Sequence, residues 1–193
     1  MTSAEDFCSN DVEANGISFE AIMPNREINI PKSYLQSNVY SYISVQLSLC
    51  LLNKTSKPFR FNLYSKLNPQ LIDVEGQVLR AVYLRIKRLK PKLSNYPLIK
   101  PGESFIFCQN AKLSWGNPVN QCTLSISKNS GGQWNFHTLK TGRYYLQFIY
   151  KNEDAVQTIH GQGEQWMDTK LLSDFWLGKV CTPSVDFLIV SRA

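Results

Sequence analysis

Apolar residues in this chain recur at every second position far more often than at helical spacing. In the run Gly142-Arg-Tyr-Tyr-Leu-Gln-Phe-Ile-Tyr150, Tyr144, Leu146, Phe148 and Tyr150 share one side, while Gln147 and Lys151 take the other. Such alternation means a strand with one buried face. Residues 43–51 repeat the pattern, with Ile43, Val45, Leu47, Leu49 and Leu51 on the core side, and residues 59–63 follow. Residues 78–86 alternate again, and here Val82, Leu84 and Ile86 are expected inward, with Tyr83, Arg85 and Lys87 outward. Shorter candidates lie at 17–23, 105–107, 113–115, 122–126, 134–136 and 180–189, separated by Pro-, Gly- and Asn-rich turns such as Lys100-Pro-Gly-Glu103 and Asn129-Ser-Gly-Gly132. About eight or nine strands and one helical pattern predict an all-β fold, an antiparallel sandwich.

The organisation expected is a single β-sandwich domain over residues 16–193, preceded by a loose, polar tail at 1–15. Residues 152–179 are too long for a hairpin loop. Their second half, 164–176, can form a short helix, with Trp166 and Lys170 four apart and Glu164 and Asp168 at its N-terminal end.

Two resemblances sharpen the fold. Gly142-x-Tyr144-x-Leu146 resembles the tyrosine corner of immunoglobulin-like sandwiches, in which a Tyr near the start of strand F bonds back to the preceding loop. The core position that is Cys in antibody domains is Leu146, as in disulfide-free relatives. Taken with Asn53-x-Thr55, Pro58-Phe-Arg-Phe61, Asp73-x-x-Gly76-x-Val78 and Leu98-x-x-Pro101-Gly102-Glu103, the stretch 40–150 resembles the BsuPI-like intracellular proteinase inhibitors. That resemblance implies an immunoglobulin-like sandwich that offers a rigid loop to a protease. The basic segment and the long 152–179 loop depart from it.

Composition narrows the chemistry. With 43% hydrophobic residues over 193 positions the chain can build a core, and no apolar run reaches transmembrane length. The beginning of the chain lacks the basic and apolar regions of a signal peptide, and the five cysteines show no CxxC pair. Reduced thiols and a cytoplasmic location are therefore expected. One histidine, His160, stands near Glu153, Asp154 and Glu164, which is a poor metal pattern. No catalytic or nucleotide-binding motif is present, so neither enzyme activity nor a cofactor or metal is expected.

Charge is the feature that points outward. Residues 80–100 hold seven basic side chains and no acidic one, whereas the rest of the chain carries a net −1. Arg80, Arg85, Lys87, Arg88, Lys90 and Lys92 are the candidate partner-binding residues, with Trp166, Phe175 and Trp176 as possible aromatic anchors in the long loop. The expected function is a non-enzymatic binding module whose loops and basic edge meet another protein with an acidic face. The alternatives are the protease inhibitor implied by resemblance and a nucleic-acid or anionic-surface binder using 80–100. A solvated, solubilising edge is the plain alternative to all three.

Overall fold

A computed structural model describes residues 11–31, 41–85, 89–115, 121–160 and 169–192. In chain order the strands are β1 (Val12–Ala14), β2 (Ile17–Ile22), β3 (Glu27–Pro31), β4 (Ser41–Asn53), β5 (Phe59–Arg60) and β6 (Leu67–Ile72). Then come β7 (Val78–Leu79), β8 (Val82–Arg85), β9 (Leu98–Ile99), β10 (Ser104–Trp115), β11 (Cys122–Lys128) and β12 (Gly132–Leu139). The last are β13 (Gly142–Asn152), β14 (Gln157–His160), β15 (Thr169–Leu172), β16 (Gly178–Cys181) and β17 (Val185–Arg192). Among the described residues the helical content is one 3-10 turn, Leu93–Asn95. The fold is all-β.

The larger sheet runs β1-β2-β4-β10-β11-β12-β8, and the smaller runs β3-β17-β13-β6-β7 with β16 also beside β13. Pairing is antiparallel except for the parallel β3–β17 pair. The chain therefore passes from the edge of the smaller sheet at β7 to the edge of the larger sheet at β8 through two intervening residues, Arg80 and Ala81. That short crossing places Arg80 between the margins of the two sheets.

The two sheets bury their alternating faces against each other. Leu47, Leu49 and Leu51 of β4, Leu124 and Ile126 of β11, Leu146 and Phe148 of β13 and Phe187 of β17 share one core. At its centre Trp176 lies 5.2 Å from Phe19 and 5.8 Å from Tyr150, ring to ring, with Phe61 stacked at 6.3 Å. The Tyr150 hydroxyl accepts the Asn62 amide at 2.9 Å, so the phenol enters the core with its polar end satisfied. Asn53, fully buried, donates to the carbonyls of Lys57 and Ile99 and accepts from the Thr55 amide and hydroxyl. It closes the loop that carries the chain out of β4.

Several elements differ from the sequence expectation. Val12–Ala14 is not tail but strand, joined to β2 by Asn15-Gly16, whose φ values of 49° and 74° suit a two-residue hairpin turn. The expected tail residues 1–10 lie outside the described residues. Leu67–Ile72, not among the expected strands, is a strand between β13 and β7; β7 pairs with Leu71 and Ile72, so Pro69 costs no bond on that side. The long 152–179 segment is not helical where it is described: β14 and β15 pair as an antiparallel hairpin. Ile159 and Leu172 of that hairpin pack with Tyr96 and Phe175 in a second, smaller core, and that burial favours strand there. Residues 161–168, including Trp166, lie outside the described residues.

Candidate functional site

β8 is the last strand of the larger sheet and pairs only with β12 among the described residues. All four of its residues are exposed. Its register with β12 sets which side chains point where. Trp134 faces Ile126 on one side and Tyr83 on the other, and Ile126 is fully buried, so Tyr83 lies on the core-facing side of the sheet. Val82 and Leu84 lie on the outer face, at 45% and 49% exposure.

This reverses the expected orientation of residues 82–85. Leu84 is not the anchor of the strand; Tyr83 is. Its ring stands 4.7 Å from Trp134 and crosses Gly132, where an added Cβ would come within 2.4 Å of the Tyr83 hydroxyl. An aromatic pair at the sheet margin holds β8 better than Leu84 could. Ile86, Lys87 and Arg88 lie outside the described residues.

Lys128, at the end of β11, joins this cluster. Its Nζ sits 5.5 Å from the Tyr83 ring centre and 5.3 Å from that of Trp134. Burial holds its pKa below the ordinary lysine value. Sequence reading treated 129–132 as a loop and missed both Lys128 and Trp134. The hairpin itself was the signal, since it must return Trp134 beside the strand that Lys128 ends.

Beyond β8 the chain is pinned at Leu89, whose amide donates to the Ser130 carbonyl at 3.2 Å and whose carbonyl accepts the Tyr64 hydroxyl. Lys90 and Lys92 follow, exposed, and the Asn95 side chain accepts the Lys92 amide at 2.8 Å to start the 3-10 turn. Arg80, Arg85 and Lys92 form no ion pair among the described residues; the carboxylates pair elsewhere, as in Lys54 with Asp11 and Glu13 and Arg26 with Asp186. The structure thus brings Arg85, Tyr83 and Lys128 to one margin, with Arg80 just before β8 and Lys90 and Lys92 in the chain that leaves Leu89.

Phe175 and Trp176 do not belong to it. They are 4% and 2% exposed, Trp176 within the main core and Phe175 in the smaller one, so neither is an anchor for a partner. The expected tyrosine-corner residues sit at the start of β13. The Tyr144 hydroxyl donates to the Lys140 carbonyl at 3.1 Å and accepts the Lys140 amide at 3.0 Å, Leu146 is buried, and Gly142 has φ 148°.

Other chemistry is sparse. Among the described residues no three His, Cys, Asp or Glu side chains gather as metal ligands, and no helix is long and apolar enough to cross a membrane. Cys108 and Cys181 are exposed thiols, while burial pushes the Cys122 thiol up to about 11 and makes it unreactive. A shallow depression of about 410 Å3 lies over Lys151, Asn152, Glu153, Leu177, Gly178 and Lys179, with Lys151 and Glu153 paired at 2.9 Å. Comparison of the chain with protein-family models, curated proteins and solved structures finds no match.

Proposed function

We propose that this protein is a non-enzymatic, cytoplasmic binding module that takes a protein partner with an acidic face along β8 and the segment after it. One observation carries the reading: among the described residues β8 pairs with β12 alone, its four residues are exposed, and neither Arg85 at its end nor Arg80 just before it has a carboxylate partner there. Unneutralised charge on a fixed edge attracts acidic surfaces and speeds their encounter.

The module's fold is read as immunoglobulin-like. The neighbours β17-β13-β6 follow the G-F-C order of such sandwiches, and Tyr144 makes the corner bonds at the start of β13. The larger sheet is less typical, because β10, β11 and β12 follow β4 outward in chain order. Protease inhibition rests on the turn motifs of the resemblance alone.

A single-stranded nucleic acid would use the same charges but would want several stacking rings. Of the tyrosines in 80–100, Tyr83 is 38% exposed and Tyr96 only 2%, which favours a protein. The test is the affinity of a fluorescent hexaglutamate peptide for wild type and for the triple variant Arg80→Glu, Arg85→Glu, Lys92→Glu, measured against salt. Wild type should bind, with affinity falling as salt rises, and the variant should lose about tenfold or more at low salt. Equal affinities would reduce the segment to a solubilising edge.

A further inference from the structure

We infer that the partner joins by strand addition to β8, and that the segment added is extended and alternates acidic with apolar residues. The inference rests on the basic-edge reading above and specifies the partner's shape and sequence pattern.

Three observations lead there. Among the described residues β8 ends the larger sheet, so one row of its backbone amides and carbonyls faces β12 and no described strand pairs with the other row. The strand is already held in place before any partner arrives, by Tyr83 against Trp134 at 4.7 Å and across Gly132. A preorganised edge spares the partner the cost of ordering two strands. Its two faces also differ in chemistry. Val82 and Leu84 stand exposed on the outer face, whereas Arg85 and the Tyr83–Lys128 cluster occupy the other.

A strand laid beside β8 places successive side chains on opposite faces. Its residues next to Val82 and Leu84 gain by being apolar; those next to Arg85 and near Lys128 gain by being acidic. Period two is thereby written into the partner. A second copy of this chain pairing β8 to β8 is disfavoured, because it would bring Arg80 and Arg85 of both copies together.

Two labelled peptides of equal composition test the inference, Glu-Val-Glu-Val-Glu-Val and Glu-Glu-Glu-Val-Val-Val. Strand addition requires the alternating peptide to bind about tenfold tighter than the block peptide, and to protect the amides of residues 82–85 from hydrogen exchange. The variant Val82→Lys, Leu84→Lys gives the sharper contrast, since both side chains are exposed. It adds positive charge yet should weaken the alternating peptide, whereas attraction by charge alone would tighten both peptides. Equal binding of the two peptides, tightened by the lysines, overturns strand addition and leaves the basic-edge reading standing. Binding of neither overturns both. Protection of 82–85 by self-association without peptide, or tighter binding of an oligothymidylate than of either peptide, overturns the acidic-protein partner.

Discussion

Thr138 adopts φ 60°, a left-handed conformation that a β-branched residue rarely takes. It sits in a bulge, where register slips between Cys122 and Leu124 and the extra residue of β12 must be absorbed. Thr138 is exposed, and its hydroxyl reaches only the neighbouring His137 carbonyl at 2.7 Å. Thr138→Gly should therefore raise stability by about 1 kcal/mol in denaturant melts, and an unchanged or lower midpoint would mean the strain is not stored there. Tyr144 works in the opposite sense. Both lone-pair and proton of its hydroxyl are used on Lys140. Tyr144→Phe keeps the ring and orphans those groups, so a loss of about 1–3 kcal/mol is expected in the same assay; no loss would remove the corner as a stabilising device. The corner was legible because its residues sit within five positions of one another. Thr138 was not, because a bulge is set by the partner strand.

Strands with one buried face were read correctly where alternation was long, as in β4 and β13. β8 failed for a physical reason: at a sheet margin neither face is deeply buried, so a Tyr–Trp contact across strands outweighs the preference of Leu84. β1 was missed although Asn15-Gly16 marks its turn plainly. The stretch 164–176 was read as helix because the tertiary partners of its described part, Tyr96 and Ile159, lie outside the local pattern. Trp176 reaches the core only because Gly178, at φ 152°, leaves room: a Cβ there would come within 2.6 Å of the indole. Gly178→Ala should cost about 2–3 kcal/mol, combining backbone strain with displacement of the ring. Trp fluorescence would report the displacement as a red shift; an unshifted spectrum with unchanged stability would contradict this seating.

Across the whole molecule, buried phenols set the alkaline limit. Burial pushes the Tyr96 hydroxyl up to about 12 and raises those of Tyr150 and Tyr144. An unfolded Tyr ionises near pH 10, so the stability they contribute is complete below that and is lost as pH climbs toward 12. Absorbance of tyrosinate and loss of β-sheet circular dichroism should rise together in that window; ionisation of these rings well before unfolding would contradict their burial. Charge is distributed as unevenly as burial. The basic excess of the chain lies in one segment, and the fold carries Arg80 and Arg85 of it to a strand that pairs only with β12 among the described residues. Composition made the segment visible, but its position beside Lys128 and Trp134 depends on contacts that no local pattern contains. The most direct measurement is a pull-down from nuclease-treated cytoplasmic extract with wild type and the Arg80→Glu, Arg85→Glu, Lys92→Glu variant as baits. Wild type should retain proteins bearing acidic segments that the variant loses, with both baits equally folded; identical sets of retained proteins would contradict the binding edge.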